Sequence, residues 1–98
     1  MGASNCIYRK GKFMILQVGH EYIAVNQDKV FKHGHTHIQS FKQAEYLVNM
    51  SLHKRIPNHL SEYMLTSLVR LSNDPQYTEK INALIETKRS RGQKYINK

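Results

Sequence analysis

Apolar and polar positions follow different periods in the two halves of this 98-residue chain. The N-terminal part reads as strands. Phe13-Met14-Ile15-Leu16-Gln17-Val18 is a short apolar run, and Gly19-His20 is a tight turn. Glu21-Tyr22-Ile23-Ala24-Val25 comes next, rich in residues that suit a pleated surface. Asn26-Gln27-Asp28 supplies a second turn before Lys29-Val30-Phe31-Lys32-His33. Connections this short join antiparallel neighbours, which predicts a three-stranded meander over 12–39 behind a loose N-terminal arm over 1–11. Three strands carrying this much Ile, Leu and Phe need a covering layer on one face.

From residue 40 the period becomes helical. Ser40 followed by Gln43 is a capping box, and Ala44, Leu47, Val48, Ser51 and Leu52 then share one face. Pro57 disfavours helical geometry at Ile56, so this helix ends by about residue 55. A second helix is expected from near Asn58, with a broad stripe of Leu60, Met64, Leu65, Leu68, Val69 and Leu71 that makes it the most buried of the set. Asp74-Pro75 opens a third, an N-cap aspartate with proline at the first helical position. Its inner face is Tyr77, Ile81, Leu84, Ile85 and Lys88, and Gly92 loosens the tail beyond it.

These elements predict one small α+β domain: a three-stranded antiparallel meander, three helices over 40–91 packed on one sheet face, and a basic tail over 92–98. The expected core is Ile15, Ile23, Phe31, Ala44, Leu47, Val48, Leu60, Met64, Leu68, Leu71, Ile81, Leu84 and Ile85.

Charge adds what periodicity cannot. The chain carries 15 Lys+Arg against 7 Asp+Glu, a formal +8. Residues 41–87 balance to zero, residues 1–40 carry a net +3, and residues 88–98 carry +5 with no acid. The positive field therefore comes from the two ends, through Arg9, Lys10, Lys12, Lys88, Arg89, Arg91 and Lys94, with Tyr95 beside the second cluster. Such clusters attract polyphosphate backbones whatever the base sequence. The reading is a non-enzymatic binding protein whose partner is DNA or RNA, held weakly and without sequence preference; a protein-interaction module without nucleic acid is the alternative. A lone Cys6 forms no intramolecular disulfide, and the longest apolar run falls far short of the roughly 20 residues of a membrane span. The expectation is a cytoplasmic protein with no membrane partner.

Chemistry-bearing motifs are sparse. No Gly-x-Ser-x-Gly elbow and no phosphate-cradling glycine loop is present. His33-Gly34-His35-Thr36-His37 is the conspicuous string. On a straight strand its outer imidazoles stand about 13 Å apart, too far to share an ion. No Asp, Glu or Cys lies close in sequence, so the expectation is solvated histidines, no metal and no cofactor. Gly34-His35-Thr36-His37 resembles one motif of the calcineurin-like metallophosphoesterases, but the Asp-x-His, Gly-Asp and Gly-Asn-His motifs that accompany it there are absent. A meander followed by a helix opening Ser40-Phe41-Lys42-Gln43-Ala44-Glu45 resembles the arm-type DNA-binding domains of phage-type integrases in element order, over about half the chain. That resemblance implies a nucleic-acid surface on the sheet, and the chain departs from it by two further helices.

Overall fold

The computed structural model describes residues 5–57 and 59–96, with side chains up to Ser90. Four strands, β1 (Asn5–Lys10), β2 (Phe13–Val18), β3 (Glu21–Asn26) and β4 (His35–Ile38), form one antiparallel sheet in chain order. Three helices come after them: α1 (Phe41–His53), α2 (Glu62–Leu71) and α3 (Pro75–Ile96). The α+β class and the one-sided helical layer are as the sequence implies. The strand count is not: the meander has four strands, and residues 5–10 are an edge strand rather than an arm.

Two glycines make the hairpins. Gly11 and Gly19 have φ of 59° and 61°, each at the first of two loop residues. That position must be left-handed in a II′ turn, whose twist matches the flanking strands. β1 is joined through Gly11-Lys12, a Gly-x signal equivalent to Gly19-His20. Its strand is otherwise exposed, with Tyr8 alone half-buried and Ile7 open to solvent, which is why its alternation is faint. Tyr8 meets Phe41 of α1 edge-on, with ring centroids 5.8 Å apart. A bulge between Cys6 and Tyr8 leaves Ile7 without a partner on β2.

The last strand is also displaced from its expected place. Lys29–His33 is a compact loop, and pairing with β3 begins at His35. The cause is Asn26, fully buried at the end of β3. Its side-chain oxygen accepts from the amide of Asp28 at 2.9 Å, turning the chain, while its Nδ2 donates to the Leu71 carbonyl at 2.7 Å. Lys29 continues the same job. Its Nζ donates to the carbonyls of Arg70 (3.0 Å) and Ser72 (2.9 Å), satisfying the C-terminal end of α2. Burial there pulls the lysine pKa below its ordinary value. Gly34 closes the loop where a Cβ would stand 2.6 Å from the Lys29 Cβ, so close approach selects glycine. Phe31, expected in the core, is consequently 49 % exposed.

One face of the sheet carries the core. Phe13, Ile15, Ala24 and Ile38 pack against Ala44, Leu47 and Val48 of α1 and Leu65, Leu68 and Leu71 of α2. α2 touches β3, β4, α1 and α3, and Thr36 of β4 donates to Ser67 of α2 through their hydroxyls at 2.9 Å. α3 lies on α2, contributing Tyr77, Ile81 and Ile85. Met64 and Leu84 are only partly buried at the margin of this cluster.

The caps match the sequence with one shift. Ser40 accepts from the Gln43 amide, and α1 ends at Lys54 in the left-handed region, φ 54°. α2 is capped by Ser61, whose hydroxyl accepts from the Met64 amide at 3.2 Å, so it starts later than the expected Asn58, which lies outside the described residues. Asp74 caps α3 as expected, accepting from the amides of Gln76 and Tyr77. α3 continues past Gly92 to Ile96. The Tyr77 hydroxyl donates to the Arg55 carbonyl at 2.7 Å, and burial pushes its pKa up to about 12, so it remains a donor at any working pH.

Leu68 is fully buried between sheet and helices. Leu68→Ala is expected to cost about 2–5 kcal/mol in chemical denaturation, and a much smaller loss would show that α2 is not central. Asp74 gives a pH prediction. A hydrogen bond from Lys54 at 2.6 Å, assisted by the two amides, holds its pKa below the ordinary 3.8. Its contribution is therefore complete above the unfolded value and is lost as pH falls through the lowered folded value. Thermal melts from about pH 5 to about pH 2 should show a shallower acid-side loss in Asp74→Asn than in the wild type.

Candidate functional site

Every helix lies on one side, so the other face of the sheet is the surface left uncovered among the described residues. Strand register organises it into two cross-strand rows. Arg9, Met14, Val25 and His35 make one; Cys6, Leu16, Ile23 and His37 make the other. Side chains paired in this way share a face and touch their neighbours across the ladder. Both rows are apolar in the middle, end in a histidine on β4 and end in a polar or thiol group on β1. Val25 and Ile23 are only 3 % and 8 % exposed although no helix covers them, because each is flanked on both sides within its row.

Val18 at the end of β2, Ile7 at the bulge, and Val30 and Phe31 of the β3–β4 loop are four of the five large apolar side chains that stand exposed among the described residues. The fifth, Tyr63, lies on α2. Phe31 is not loose. Its ring lies parallel to that of His35, centroids 4.3 Å apart and 2° from coplanar. The His35 and His37 rings meet edge-on at 5.0 Å. His37 Nδ1 stands 2.6 Å from a Glu21 carboxylate oxygen, and His35 Nδ1 bonds the Phe31 carbonyl. At the other end of the rows, Arg9 donates to Cys6 Sγ at 3.8 Å and to Gln27 at 3.4 Å.

His33 belongs to the loop and does not join the line of imidazoles that the sequence suggests. Only His35 and His37 of that string are on the strand, two residues apart and on one face.

The basic side chains named from the sequence that fall among the described residues have separate neighbours. Lys10 donates to Asn49 of α1 at 3.0 Å, and Lys12 to Asn73 at 2.7 Å with Asp28 at 3.9 Å. Asn73 stands two residues before α3, whereas Arg89 is roughly 20 Å along that helix at 1.5 Å per residue. Arg89 pairs with Glu62 at the start of α2, at 2.9 Å, and Lys88 is half-buried. The side chains of Arg91 and Lys94 lie outside the described residues.

The sequence pointed to an open sheet face but not to its lining, because Met14 and Leu16 sit in a run with Phe13 and Ile15, with no alternation to say which pair faces the helices. The available signal was the second hairpin glycine, Gly11, which makes the sheet wide enough for a central apolar strip. No protein-family model matches this chain, and neither a curated protein nor a solved structure is significantly similar to it.

Proposed function

We propose that this chain is a small, basic, non-catalytic binding protein that presents the uncovered face of its sheet to a protein partner. The observation that carries the reading is a sheet face that no helix covers among the described residues, with Val18 exposed on the same face as Leu16 and Phe31 exposed against His35. Exposed apolar side chains on an uncovered face of this kind mark interaction sites. The partner's chemistry is set by charge. Arg9 ends one row and Lys32 succeeds Phe31 in the loop, while Glu21 is already engaged with His37. A complementary surface is apolar at its centre and acidic at its rim. A formal +8 disfavours a second copy of the chain as the occupant.

Selection from a random-peptide display library on the immobilised full chain tests this. Apolar peptides bearing Asp or Glu should be enriched, and Val18→Glu should weaken them more than tenfold. Val18 is exposed, so that variant should melt within about 0.5 kcal/mol of the wild type. Peptides that bind Val18→Glu and Phe31→Ala undiminished would contradict the reading.

The charge excess favours a second reading, weak nucleic-acid binding through Arg9, Lys10, Lys12, Lys88, Arg89, Arg91 and Lys94. Ion pairs among the described residues engage Lys12, Lys54 and Arg89, so most of the cations keep their field. On duplex DNA, log affinity should then fall with log salt by about 0.9 per phosphate contact. Replacing Lys88, Arg89 and Arg91 together by Ala should reduce that slope by up to about 3. Absence of binding to any duplex or single-stranded probe at low salt and micromolar protein would eliminate this reading.

A further inference from the structure

His35 and His37 share one strand face, two residues apart, and both have Nδ1 already committed. The chemistry of their partners fixes the proton. A backbone carbonyl and an ionised carboxylate accept hydrogen bonds and donate none, so both Nδ1 atoms carry hydrogen. In the neutral rings the lone pair is then on Nε2, at the far side of each imidazole. This is the arrangement that metal-ligating histidines adopt: the outer N–H held by a carbonyl or carboxylate fixes the tautomer, orients the ring and raises the basicity of the ligating nitrogen.

Both rings are also held in place before any ion arrives. His35 lies flat on Phe31, which the β3–β4 loop positions. The His37 backbone is tied to α2, its carbonyl accepting from the Tyr63 hydroxyl at 2.5 Å. The wide spacing that argues against a metal on the sequence applies to His33 and His37, and His33 is off the strand. We propose that His35 and His37 form a two-nitrogen site for a divalent transition-metal ion of the zinc, nickel and copper class, with Glu21 and the Phe31 carbonyl as its outer shell. Imidazole nitrogen suits these ions, and water completes the coordination.

The site is open. No group of three or more His, Cys, Asp or Glu side chains among the described residues is placed to hold one ion. Cys6 cannot join, because β1 and β4 are three strand spacings apart, about 14 Å. With half the protein ligands of a structural zinc centre, the dissociation constant should be on the order of micromolar. The ion should exchange freely and be removed by chelators.

Titration calorimetry of the metal-free full chain with zinc or nickel chloride in a non-coordinating buffer tests the site. One ion per chain is expected. His37→Asn and His35→Asn should each weaken it at least tenfold, and Glu21→Gln by about 10- to 100-fold through loss of the outer shell. His53→Asn, on α1, should leave it unchanged. Nickel should broaden the amide resonances of β4 in the wild type, and the same spectra establish that each variant is folded. Full affinity in folded His37→Asn, equal weakening in His53→Asn, or no uptake by the wild type would each overturn the proposal.

Discussion

The buried amide of Asn26 ties the end of the sheet to the end of α2. Asn26 ends β3 with no solvent exposure, and its side chain donates to the Leu71 carbonyl at the end of α2 while accepting from the Asp28 amide. Its backbone is used as fully, donating to the Gly34 carbonyl and accepting from the Lys29 amide. A buried polar group is costly unless paired, about 1–3 kcal/mol for each group left without a partner, so this constellation tolerates little variation. Where Asn26 sits, the strand must stop, the chain must turn, and α2 must end against it.

The surface chemistry derives from that constraint. The loop that Asn26 starts and Gly34 closes carries Phe31 to the far side of the sheet, where it supports His35. Because β4 begins only after the loop, His35 and His37 fall opposite Val25 and Ile23 and complete the two rows. The helices lie on the other face, so the rows meet no helix among the described residues. The loop lysine nearest the anchor, Lys29, is spent on the C-terminal carbonyls of α2. Lys12 and Arg89 are likewise held by neighbours. Positive charge among the described residues is therefore partly structural, with Lys12 held near the start of α3 and Arg89 held further along it.

Much of the helical half was legible because its signals are local. Ser40 and Asp74 cap as their side-chain chemistry dictates, and the apolar spacing from Ala44 to Val48 and from Leu65 to Leu71 maps onto the buried cluster. β2 and β3 were legible for the same reason, bracketed by Gly19. What escaped depends on distant partners. β1 is an edge strand whose polar residues need bury almost nothing, so hydrophobic pattern cannot reveal it. Lys29–His33 has strand-like residues, but Asn26 and Lys29 bond a helix end more than forty positions away, and that long-range pairing outweighs local propensity. The histidine string was in view because alternate strand residues share a face, but that His33 drops out of it, and which rows His35 and His37 complete, depends on where β4 begins.

The claim that the Asn26 anchor organises the loop, β4 and the end of α2 as one unit can be measured directly by amide hydrogen exchange on the wild type and Asn26→Ala. If the anchor acts as described, residues 27–38 and 68–73 lose protection together, while β2 and α1 retain theirs. Unchanged protection in the loop and β4, or a uniform loss across the whole chain, would contradict it.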